Sequence, residues 1–157
     1  MTIDEIIELL TDLDGILILQ PGPGDGTPEI AWGDKFFYYS PDGTVPTNTQ
    51  PVATIVTKDY PDDQSSRLDR PDAFRLNISV GKQAFIDTLG YSPREIPDAV
   101  DYGSTDVFLP HPTYASAGWV AVVDPAARTS DSARRLLRAA YDRASARYER
   151  RTVTEPR

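Results

Sequence analysis

Pro21, Pro23, Pro28, Pro41, Pro46, Pro51, Pro61 and Pro71 cut one stretch of the chain into pieces too short for a helix of ordinary length. Proline supplies no backbone N–H, and its ring clashes with the preceding helical turn. The chain holds 14 prolines in 157 residues, about 9% where roughly 5% is usual. Helices are thereby confined to the windows 1–20, 72–92, 98–109, 113–124 and 126–155.

Within those windows the apolar spacing marks the elements. Thr2 and Glu5 form an S/T-x-x-E capping box, and Ile3, Ile6, Ile7, Leu10 and Leu13 follow at helical intervals, which predicts a helix over 3–13. Gly15 stops it, and Ile16–Leu19 reads as a short buried strand. Phe85, Ile86 and Leu89 predict a second helix over 82–89, closed by Gly90 where a left-handed cap is needed. Ala133, Leu136, Leu137, Ala140, Tyr141, Ala144 and Tyr148 mark one face of a long helix over 131–150. Strands are predicted at 29–32, 35–39, 52–57, 75–80 and 119–123. The first two form a hairpin in which Gly33-Asp34 turns the chain with positive φ at glycine. This order predicts a single α+β domain with an antiparallel sheet over residues 1–151, and a disordered tail over 152–157 that has no packing pattern.

Several function classes are excluded by composition. With no cysteine there is no thiolate zinc site, iron–sulfur cluster or cysteine nucleophile, and a single histidine rules out His-pair metal motifs, so no metal or cofactor is expected. No apolar run approaches the ~20 residues of a membrane span, and MTIDEIIELL lacks the pattern of a signal peptide, which predicts a cytoplasmic protein without a membrane partner. The segment Pro21–Gly26 is glycine-rich, but it contains neither GxxxxGK(S/T) nor GxGxxG, and it reads as a turn-rich connection between strands. Asp59, Asp62 and Asp63 lack the ligand spacing of a calcium loop and read as a solvated acidic loop. No G-x-S-x-G elbow accompanies the histidine.

Charge is unevenly placed. The formal net charge is −8, yet residues 128–157 carry nine of the 16 basic and four of the 24 acidic residues, a balance of +5 that leaves −13 on residues 1–127. Arg147, Arg150 and Arg151 suit the C-terminal end of a helix dipole, and Asp131/Arg135 and Arg138/Asp142 have i,i+4 spacing. A nucleic-acid surface is disfavoured, because the acidic body opposes phosphates and interleaved aromatics and lysines are missing.

Three polar segments fall at strand ends, where a rigid scaffold presents binding groups: Trp32-Gly33-Asp34, Thr57-Lys58-Asp59-Tyr60 and Leu109–Tyr114. His111 lies between two prolines that restrict its backbone, and imidazole can act as acid, base or hydrogen-bond partner near neutral pH, which makes it the candidate catalytic residue. Lys58 and Asp59 offer opposite charges, Trp32, Tyr60 and Tyr114 a partly apolar wall, and Arg70 and Arg75 partners for an anionic ligand. The expectation is that His111, Lys58, Asp59 and Tyr114 border one concave pocket.

The stretches PEIAWGDKFFYYSPDG (28–43), QPVATIVTKDYPDDQSSRLDRPDAFRLNISVG (50–81) and DVFLPHPTYASAGWVAVVDP (106–125) together resemble an uncharacterised family of small bacterial proteins. More distantly the layout is similar to the MmcQ/YjbR family, whose double-wing, CyaY-like α+β fold is described as DNA-binding. The shared features are the N-terminal helix, the hairpin Ile30–Phe37, the strand Leu76–Ser79 leading into helix 82–89, the strand Gly118-Trp119-Val120 and a final helix with Tyr141. This chain differs by an insertion at about 40–71 and by its acidity. The leading expectation is a non-enzymatic domain whose groove takes a small molecule or protein partner. The alternative is an enzyme using His111 as general acid or base, and DNA binding comes third.

Overall fold

A computed structural model describes residues 1–154. Its elements run α1 (Ile3–Thr11), β1 (Ile16–Leu19), β2 (Lys35–Tyr39), β3 (Ala53–Val56), β4 (Arg75–Ser79), α2 (Lys82–Leu89), β5 (Phe108–Pro110), β6 (Trp119–Val123) and α3 (Ser130–Thr154). The strands form one antiparallel sheet in the order β1-β2-β3-β4-β6-β5. This is the single α+β domain that the proline-free windows predict.

The helix ends show why those windows fold as they do. Thr2 Oγ1 accepts from Glu5 N at 3.1 Å while Thr2 N donates to Glu5 Oε1 at 3.2 Å, so the capping box is formed at the start of α1. α1 stops at Thr11, short of Leu13, because Leu13 N already bonds Leu10 O in a tighter turn. Gly90 ends α2 at φ +83°, the left-handed position predicted for it. On α3 the Arg138–Asp142 pair forms at 3.5 Å, but Asp131 pairs with Arg134 while Arg135 donates to Ser132. α3 continues through Thr154, so helix occupies 152–154 where a tail was expected, and the rest of that expectation lies outside the described residues.

Strand register divides the side chains between two faces. Phe37, Ala53, Ile55, Leu76, Ile78, Val120 and Val122 point to the side that carries the helices, where they pack with Ile6, Leu10, Phe85, Ala133, Leu137 and Ala140. Full burial of a side chain such as Phe37 or Phe85 contributes about 2 kcal/mol, and both are fully buried. The opposite face bears Thr54, Val56, Arg75, Asn77, Ala121, Val123 and Leu109. Segment 57–74 covers part of that face, with Leu68 and Ala73 packed on Val56 and Val123.

One predicted element is corrected. Residues 29–31 form a 3-10 turn, not a strand, and β2 pairs with β1 and β3, so the 29–39 hairpin does not exist. Asp34 is fully buried as the anchor of a polar cluster, which prevents it from serving in a surface turn. The glycine-rich segment lies in the loop 20–34 that joins β1 to β2.

Candidate functional site

The residues singled out from the sequence fall into three groups. In the first, the buried Asp34 carboxylate gathers the loop after β3. Its Oδ1 accepts from Thr57 N and Thr57 Oγ1 at 2.9 Å and from Lys58 Nζ at 3.0 Å, and its Oδ2 accepts from Tyr60 OH. Lys58 also donates to Trp32 O at 2.7 Å, and the Trp32 indole N–H reaches Thr27 O. Burial and the Asp34 charge hold the Tyr60 hydroxyl far above its ordinary range, so it remains a donor. Trp32, Lys58 and Tyr60 are therefore brought together, with these polar atoms bonded to one another or to the backbone.

In the second group, Arg75 is 2% exposed on β4 and sits at the centre of a network. It donates to Asp63 through both terminal nitrogens, to Ser66 Oγ at 2.8 Å and, through Nε, to Asn77 Oδ1 at 2.8 Å. Asn77 in turn donates to Thr54 Oγ1. Although burial pushes the Asp63 carboxyl up, its bonds to Arg75 pull it below the ordinary range. Asp59 accepts from Leu68 N at 2.9 Å, which closes the loop. The expectation of a solvated acidic loop is thereby corrected: Asp62 is exposed, but Asp59 and Asp63 pin the covering segment. Arg70 donates to the carbonyls of Ser66, Arg67 and Gly103, a clasp between loops.

His111 follows β5 and is 5% exposed, with its ring 5.0 Å from that of Tyr114 and 6.1 Å from that of Trp119. Its Nδ1 accepts from both Thr113 N and Tyr114 N at 3.0 Å. An unprotonated Nδ1 places the proton of the neutral ring on Nε2. No buried side-chain nitrogen or oxygen among the described residues lacks a partner, and Nε2 has none, so Nε2–H reaches solvent. Burial, followed by the Arg75 charge, lowers the imidazole pKa to about 3 against an opposing pull from Asp63. Tyr114 is 52% exposed. Among the described residues no hydrogen bond or ring contact joins His111 to Lys58 or Asp59.

Two surface clefts lie elsewhere. A space of about 770 Å³ opens between the loop 40–52 and the C-terminal half of α3, walled by Tyr39, Asn48, Gln50, Arg143, Arg147 and Tyr148 among others. A second, about 520 Å³, lies beside the start of α1 with Thr57 and Arg70 in its wall. Neither is lined by His111, Lys58, Asp59 or Tyr114. The Tyr39 ring packs edge-on against Tyr141 and Tyr148, and Arg151 Nη1 donates to Thr49 Oγ1 at 3.3 Å, so α3 is tied to the end of β2 and to the loop that wall the 770 Å³ cleft. Sequence reasoning did not assign Arg143 and Arg147 to a site. The signal for them was the +5 balance of the last segment together with arginines four residues apart at 143, 147 and 151.

Among the described residues there is no group of three or more His, Cys, Asp or Glu placed to hold a metal ion, and no helix is long and apolar enough to cross a membrane. Residues 1–153 match a family of unknown function. No curated protein and no solved structure matches the chain, and nothing in these comparisons links it to the MmcQ/YjbR family.

Proposed function

The chain belongs to that family, DUF6194, which brings it no activity, and we propose that it is a binding domain taking a small molecule in the cleft between α3 and the loop 40–52. The cleft itself carries this reading. Its volume of about 770 Å³ falls within the roughly 300–1,000 Å³ of small-molecule sites, and its wall combines tyrosine rings with amide and guanidinium donors.

The state of His111 supports a binding role over a catalytic one. A general base needs a free ring nitrogen, and here Nδ1 is occupied by two amide donors while Nε2 carries the proton. A general acid needs an imidazolium near neutral pH, and a pKa near 3 removes it. The Nε2–H has no partner within the protein and can still donate one hydrogen bond to a bound group, which is the observation behind the second reading, an enzyme or ligand site at His111. DNA binding has less support, because residues 1–127 carry a balance of −13 that opposes phosphates.

The test is a fragment screen on the 15N-labelled chain, followed by amide chemical shifts. Binders are expected to move signals of residues 44–51 and 143–151 while those of 111–119 stay in place. Binders that move only the signals around His111, or turnover of any of them, would overturn the reading.

A further inference from the structure

Arg143 and Arg147 lie one turn apart on α3 and both face the cleft. Neither has an ion pair or side-chain hydrogen bond among the described residues, although the body of the protein is rich in carboxylates. The Arg143 guanidinium rests against the backbone of Gly81, where a Cβ would come within 2.9 Å of Cζ, so glycine at 81 makes the room that sets its position. Packing, together with the like charge of Arg147, holds the Arg143 guanidinium below its usual range. Two adjacent cations with no counter-charge among the described residues form a site short of negative charge.

The facing loop also presents donors. Gln50 Oε1 accepts from the Trp119 indole N–H at 3.0 Å and Asn48 Oδ1 from Thr49 Oγ1 at 3.4 Å, which leaves the NH₂ group of each amide as the part free to bind. The carboxylate in the wall, Asp42, is turned into its own loop and accepts from Ser40 Oγ, Thr44 N and Thr44 Oγ1. Guanidinium and amide groups aimed at one space suit an oxyanion. A carboxylate would balance one arginine, whereas a phosphate monoester carries about −1.5 to −2 at neutral pH and matches two. An extended polyanion would meet the −13 balance of residues 1–127, but a small ester inside the cleft would not.

Building on the binding role assigned above, we propose that the cleft binds a phosphate monoester, with its phosphoryl group between Arg143 and Arg147 and its organic part against Tyr148. The probe is phenyl phosphate, titrated into the full 15N-labelled chain beside inorganic phosphate, phenylacetate and benzyl alcohol. Phenyl phosphate is expected to shift the Nε–H signals of both arginines and the NH₂ signals of Asn48 and Gln50, and to bind more tightly than the other three. Arg143→Gln and Arg147→Gln should each weaken it roughly tenfold or more, as expected when a charge-assisted hydrogen bond is lost, with lysine at either position restoring part of the affinity. Both residues are exposed on α3, so the variants are expected to keep the fold, and a melting temperature measured for each separates lost binding from lost folding. Affinity insensitive to both glutamine variants, or equal for inorganic phosphate and the ester, would overturn the assignment. Cleft signals that respond to benzyl alcohol and not to the phosphates would remove the ligand class and leave the binding role standing. Silence of the cleft toward all four probes and toward the fragment screen would remove both.

Discussion

Arg75 Nη2 lies 2.8 Å from Asp63 Oδ2, and this pair ties the covering segment 57–74 to the middle of the sheet. The guanidinium is 3% exposed and the carboxylate 16%. Breaking such a pair from one side leaves an uncompensated charge. Arg75→Ala or Asp63→Ala is expected to cost about 3–5 kcal/mol, and Arg75→Met with Asp63→Leu less than either single change. Urea unfolding midpoints of the three variants check this.

Asp34 is the second fastening. Its removal orphans the Thr57 N–H and hydroxyl, the Tyr60 hydroxyl and the Lys58 ammonium, of which Lys58 is near enough to solvent to recover. Asp34→Ala should cost about 3 kcal/mol, the penalty of two to three unsatisfied polar groups. Chemical denaturation gives the value, and loss of under about 1 kcal/mol would contradict the hub role.

Acid should destabilise the protein through His111 before the carboxylates titrate. The folded imidazole has a pKa near 3 while its ordinary value is 6.5, so the unfolded chain binds the proton first. The stabilisation is complete above pH 6.5 and is lost as pH falls toward 3. Between pH 6.5 and 5 the slope should approach 1.4 kcal/mol per pH unit, roughly the value for one proton. Unfolding free energies across that range should show this slope in the native chain and its absence in His111→Gln.

Duplex DNA should bind weakly at physiological salt, because phosphates that approach α3 meet the acidic remainder of the molecule within about one Debye length, roughly 8 Å. A mobility-shift titration is expected to show no sub-micromolar complex. A tight complex that dissolves as salt rises would contradict the small-ester assignment as well.

The sequence was legible where local rules decide the outcome. Thr2, Glu5 and Gly90 sit at helix ends whose bonds involve residues only a few positions away, and Ile16–Leu19 and Trp119–Val123 are strands with the predicted bounds. Gly33-Asp34 misled because its turn chemistry is local, whereas the fate of Asp34 depends on donors 23 to 26 residues further on. Arg75 and Asn77 alternate with Leu76 and Ile78 as a solvated strand face would, yet both are buried, Arg75 against Asp63 and Ser66 of the distant segment 57–74. The prolines around His111 restrict its backbone in principle. The two amides that occupy its Nδ1 belong to a turn whose shape the sequence does not spell out.

The two sides of the sheet are held by different forces. The helices grip theirs through apolar burial, while segment 57–74 is fastened to the sheet largely through Asp34 and the Asp63–Arg75 pair. Unfolding should then proceed in two layers in dilute denaturant. Amide hydrogens of residues 57–74 should exchange with solvent first, while those of β4 and β6 keep the protection of the global fold. In such conditions the protein would peel open on its polar side and leave its helical side closed.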